Sequence, residues 1–124
     1  MNEVYIISEI CGQWGGSIRR AEQMILQSKI AGADAVKVQL YDTYKMPGDD
    51  RQKWEYLNIT KENFLNLKSF ADNLNIDFFA SAFDKERFTW IQESNVKINI
   101  KPLKNKKFPK KKFKKKKEGV GGET

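Results

Sequence analysis

Four polar side chains stand late in short runs of strand-forming residues: Glu9, Lys37, Gln39 and Ser81. A glutamate and a lysine held inside a fold are costly unless they pair or are used. Side chains alternate between the two faces of a strand. In Val4–Glu9, Tyr5, Ile7 and Glu9 therefore share a face, with Glu9 at its C-terminal end. In Ala35–Leu40, Lys37 and Gln39 share one face, and Val36, Val38 and Leu40 share the other. In Asp77–Ser81, Phe79 and Ser81 share a face, and in Val96–Ile100 Lys97 and Asn99 do, opposite Val96, Ile98 and Ile100. A single strand lysine can be an edge residue facing water. The same late-polar pattern on four strands favours one shared mouth instead. In a parallel α/β barrel, one strand face packs under helices, the other points inward, and active sites form at the C-terminal strand ends.

Other candidates are weaker. Gly12, Gly15 and Gly16 precede a helix start and could cradle an anion there. They match neither the P-loop nor the dinucleotide fingerprint, so a flexible turn is the favoured reading. The chain has no histidine and one cysteine, Cys11. That excludes an intrachain cysteine–histidine pair and argues against a zinc site.

Helical patterns separate the strand-like runs, which argues for βαβ units and a parallel sheet. The first helix is expected to start near Ser17, an N-cap residue type. It carries an apolar stripe of Ile18, Ala21 and Ile25 and stops at Gly32. The second is expected from Thr60 to Leu74, with Phe64, Leu67, Ala71 and Leu74 on one stripe. The third runs from Asp84 to near Ser94, with Phe88 and Ile91 facing inward. Residues 41–59 read as a polar loop holding Tyr41, Tyr44, Trp54 and Tyr56, with a turn at Pro47-Gly48.

The net charge of +7 is unevenly spread. Residues 101–124 carry 11 lysines and two glutamates, leaving 12 basic and 14 acidic residues in the first hundred. The chain thus divides into a near-neutral globular segment, 1–100, and a lysine-rich, low-complexity tail, 101–124, expected to be disordered. The tail could attract nucleic acid or an anionic membrane. A solvated tail is the favoured reading. No apolar run is long enough to span a membrane, and the N-terminus lacks a signal-peptide pattern. With no disulfide available, the expected location is cytoplasmic.

Three segments carry a resemblance: Ser8-Glu9-Ile10-Cys11-Gly12-Gln13-Trp14-Gly15-Gly16, Ala31-Gly32-Ala33-Asp34-Ala35-Val36-Lys37-Val38-Gln39, and Ile76-Asp77-Phe78-Phe79-Ala80-Ser81-Ala82-Phe83-Asp84. In order and spacing they resemble the N-terminal part of the sialic acid (nonulosonate) synthase family, over about residues 3–99 and nothing after. The resemblance implies a partial TIM-type (β/α) barrel, its first three to four β/α units. It also implies a carbon–carbon bond-forming transferase of carbohydrate biosynthesis. Such an enzyme condenses phosphoenolpyruvate with an N-acetylated amino sugar such as N-acetylmannosamine and releases phosphate. It uses a divalent metal, manganese or magnesium, and is typically homodimeric.

By the same resemblance, Lys37 matches the lysine that holds phosphoenolpyruvate, and Gln39 a sugar-contacting glutamine. Glu9 matches the acid near the reacting carbonyl, and Ser81 stands where a threonine hydroxyl usually touches phosphoenolpyruvate. Gln13-Trp14 replace a usual Asn-His pair, and Ala82 replaces a usual proline. The family's metal-binding histidines are absent from this sequence. A whole barrel takes roughly 250 residues, so the expectation is a fragment inactive alone, with a break in the reading near Ile100. Another phosphoenolpyruvate-condensing barrel aldolase, or a protein binding nucleic acid through the basic tail, are the alternatives.

Overall fold

A computed structural model describes residues 3–45, 48 and 54–94. Three parallel strands lie in chain order: β1 (Ile7–Glu9), β2 (Ala35–Leu40) and β3 (Asp77–Ala82). Helix α1 (Ile18–Ile30) connects the first pair, and α2 (Lys61–Asn73) connects the second; α3 (Lys85–Glu93) follows β3. The expected fourth strand at Val96–Ile100, and the basic tail, fall outside the described residues.

Each helix begins where a side chain can accept an otherwise unpaired N–H. Ser17 accepts from Arg20, Thr60 from Asn63, and Asp84 from Arg87. Two of them end in a left-handed residue. Gly32, at φ 98°, lets Ala33 N–H reach the Ser28 carbonyl at 3.0 Å. Asn75, at φ 60°, plays the same part after α2, with Ile76 N–H reaching Ala71.

The helix-facing side of the sheet is apolar. Val36, Val38, Leu40, Phe78 and Ala80 are all buried, and Phe64 of α2 sets its ring 5.8 Å from that of Phe78. Ile25 and Ala21 bring α1 onto the same core, as their spacing predicts. In α3, Phe88 and Ile91 pack on the core as expected, Phe88 half-buried and Ile91 fully, and Trp90 and Arg87 are buried beside them, which the spacing did not indicate. Arg87 escapes the usual rule because Asp84 accepts from its guanidinium at 3.0 Å and its cation lies 4.8 Å from the Trp90 ring centre.

Two strand boundaries also move. β3 runs one residue further than expected, to Ala82. β1 is half the expected length, because the Ile6 N–H donates to the Asp34 carboxylate instead of to a neighbouring strand. Val4, Ile6 and Ile7 are left exposed on this border. An open groove of about 450 Å³ runs beside it, lined by Ile6, Ser8, Ile10, Met24, Ser28 and Ala31. Among the described residues no helix is long and apolar enough to cross a membrane.

On the opposite face, the row nearest the N-terminal strand ends is Ile7, Ala35 and Asp77. The Tyr5 hydroxyl crosses it to donate to Asp77 at 2.5 Å. Partial burial, then that hydrogen bond, push the Tyr5 phenol from 10.0 up to about 12. In the unfolded chain the phenol loses its proton first. This stabilising contribution is therefore complete below pH about 10 and is lost as the pH climbs towards about 12. Urea midpoints across that window should fall more steeply for the wild type than for Tyr5→Phe; parallel declines would refute the assignment.

Candidate active site

The register sets two further rows on this face. Glu9 of β1, Lys37 of β2 and Phe79 of β3 form one row with Lys37 in the middle, and Gln39 of β2 pairs with Ser81 of β3 in the next row towards the C-terminal ends. All four polar residues singled out in the sequence thus share one face of one sheet. Lys37 does not lie beneath a helix.

The rows are chemically connected. The Lys37 ammonium lies 2.6 Å from Oε1 of Glu9, with the lysine side chain 17% exposed and the glutamate 40%. Oε2 of the same carboxylate accepts the Cys11 backbone N–H at 3.0 Å. The Cys11 thiol in turn donates to Oε1 of Gln39 at 3.3 Å. One continuous chain of contacts therefore runs from Lys37 through Glu9 and Cys11 to Gln39. Phe79, 2% exposed, gives it an apolar floor on the β3 side. An ammonium on such a floor, beside an amide and a hydroxyl, suits an anionic ligand that also carries hydroxyl or carbonyl oxygens.

The loop after β1 is built, not slack. Successive N–H groups of Gln13, Gly15 and Ser17 donate to the carbonyls of Ile10, Gly12 and Trp14. Trp14 is 2% exposed and anchors the loop in the core. Gly16 has φ 85°, and a Cβ there would lie 2.7 Å from a Tyr56 ring carbon. That glycine lets the loop touch the 3₁₀ turn Glu55–Leu57; another such turn, Thr43–Lys45, lies earlier in the same loop. So part of this loop is core: Thr43, Leu57 and Ile59 are buried.

Aromatic rings gather around this end of the sheet. Tyr41 meets Phe83 edge to face at 5.9 Å. Burial first, then the neighbouring Cys11 and Tyr56, hold the Tyr41 phenol above its ordinary value. Sequence reasoning passed over Cys11 because no histidine can activate it. Its left-handed backbone, φ 43°, is the signal that spacing could not supply.

The described residues alone do not fit a divalent metal ion. Among them no three His, Cys, Asp or Glu side chains stand together, and Glu9 is committed to Lys37 and Cys11.

The chain is 32% identical over 112 residues to N-acetylneuraminate-9-phosphate synthase of Drosophila melanogaster, which covers 77% of this chain and 30% of that protein. It is 24% identical over 117 residues to N,N'-diacetyllegionaminic acid synthase of Legionella pneumophila, covering 81% and 32%. Among solved structures, it matches N-acetylneuraminic acid (sialic acid) synthetase of Leptospira borgpetersenii serovar Hardjo-bovis with a TM-score of 0.72 at 32% identity, covering 77% of this chain and 34% of that one. The chain therefore spans about a third of the length of the relatives it matches. The NeuB family model matches residues 24–118, so the resemblance does not end near Asn99 as expected but continues into the lysine-rich segment. That match takes in the Lys37, Gln39 and Ser81 strands and most of the sequence, and the chain belongs to the NeuB family.

Proposed function

We propose that this chain is the phosphoenolpyruvate-binding portion of a nonulosonate synthase. In this reading its three parallel strands are the first units of a (β/α) barrel, residues 1–100, ahead of a basic tail. Lys37 holds the phosphate or carboxylate of phosphoenolpyruvate as a compact positive charge. Ser81 adds a hydroxyl to the same ligand, and Gln39 contacts an N-acetylated amino sugar such as N-acetylmannosamine. Glu9 keeps Lys37 in place and stands near the reacting carbonyl. The divalent metal, manganese or magnesium, takes its ligands from outside the described residues. Cytoplasmic location and homodimeric assembly belong to the same reading.

One observation carries it: the 2.6 Å Lys37–Glu9 pair sits on the polar face of the sheet, two residues along the strands from the Gln39–Ser81 row. A lysine and a glutamate facing solvent at random would have no reason to share a row with a buried Phe79. The alternative of another phosphoenolpyruvate-condensing aldolase uses the same lysine and differs in the sugar.

The test is titration of the full chain with phosphoenolpyruvate, followed by phosphorus NMR and calorimetry. Saturable binding that inorganic phosphate displaces is the expected result; no binding at millimolar ligand would refute the reading. With phosphoenolpyruvate, N-acetylmannosamine and manganese together, no phosphate release is expected from this chain alone. Turnover would overturn its reading as a portion of the enzyme.

A further inference from the structure

Cys11 stands where two strands are tied together. Its amide donates to Glu9 Oε2 at 3.0 Å, and its thiol donates to Gln39 Oε1 at 3.3 Å. It holds φ 43°, a left-handed conformation uncommon for any residue with a Cβ. Such backbone strain persists only where surrounding contacts over-determine it. Those two hydrogen bonds hold Cys11 there, and both end on side chains of the candidate site.

We propose that Cys11 is a positioning residue that fixes which way Gln39 faces the ligand; this rests on the reading of the site given above. The side-chain amide of glutamine has one acceptor end and one donor end. With the thiol on one lone pair of Oε1, the amide is fixed in one of its two orientations, with the Nε2 hydrogens on the side away from Cys11. Gln39 then selects an oxygen acceptor on the ligand, a hydroxyl or a carbonyl of the sugar. It discriminates against a donor-only group such as an ammonium at the same point. The Cys11 amide does the equivalent for Glu9, holding Oε2 so that Oε1 meets Lys37.

The side chain and the backbone of Cys11 can be separated by substitution. Cys11→Ala removes the thiol and keeps the strained backbone. Cys11→Gly removes the thiol and suits the positive φ. Cys11→Ser keeps a hydroxyl donor. In the full nitrogen-15-labelled chain, the Gln39 side-chain NH₂ resonances should move in the Ala and Gly variants and return most of the way in Ser.

Titration with N-acetylmannosamine should show affinity falling about two- to tenfold in Ala and Gly, the worth of one hydrogen bond, with partial rescue in Ser. Phosphoenolpyruvate affinity should change by less than about twofold, since the amide that holds Glu9 is present in all three. Gln39 resonances unmoved in both Ala and Gly would overturn the proposal. If they move as expected while the wild type binds neither compound, the functional reading falls and the orientation of Gln39 stands. Should Cys11→Ala fail to fold, Cys11→Gly still decides the matter, because its backbone is relaxed.

Discussion

Lys37→Met should lower the affinity of the full chain for phosphoenolpyruvate by about 30- to 100-fold while leaving the fold intact. Truncating one partner of a desolvated, hydrogen-bonded charge pair removes about 2–5 kcal/mol of binding, and each 1.4 kcal/mol is tenfold. The lower part of that range applies here, because Glu9 is 40% exposed and water screens the pair. For the same reason the stability change is small, about 1 kcal/mol or less. Glu9 loses its cation but keeps the Cys11 N–H, so it is not left bare. Lys37→Arg should restore little of the affinity, since a planar fork cannot replace a compact ammonium beside Phe79. Calorimetric titration and a melting curve on the same samples separate the two effects. An unchanged affinity, or a loss matched by collapse of the melting transition, would sink the role given to Lys37.

Phe64→Ala should remove about 3–5 kcal/mol of stability, enough to unfold much of the population. Phe64 is fully buried between α2 and the sheet, where its ring meets Phe78. Deleting a buried aromatic ring loses both its transfer free energy and the packing around the cavity left behind. Whole domains are stable by only about 5–15 kcal/mol, so this single change consumes a large share. The neighbouring Leu65 points to solvent and is 37% exposed, and Leu65→Ala should change stability by less than about 0.5 kcal/mol. Urea unfolding followed by circular dichroism distinguishes them. Equal losses for the two variants would mean that α2 does not dock through the face described.

Much of this architecture was legible in the sequence wherever a period or an end signal governs. Alternation alone assigned Lys37 and Gln39 to one face of β2 and Val36 and Val38 to the other, because a strand cannot turn one without the next. Ile25, Phe64 and Leu67 recur at helical spacing and are buried as that spacing requires. Residues without a period were not legible. Leu57 and Ile59 lie in an irregular stretch, and only the packed structure reveals that they are core. Arg87 is buried against composition-based expectation because two specific partners, Asp84 and Trp90, come with it. Cys11 was invisible as a site residue for a different reason. Its importance lies in a backbone angle and a side-chain rotamer, neither of which leaves a mark in residue spacing.

The short first strand leaves Val4, Ile6 and Ile7 uncovered, at 79%, 53% and 45% exposure, and Ile30 at the end of α1 is 67% exposed. An uncapped sheet border with oily side chains on it is a template, ready to add any extended peptide that reaches it first. In physical terms, such a border is the part of the described fold most prone to self-association.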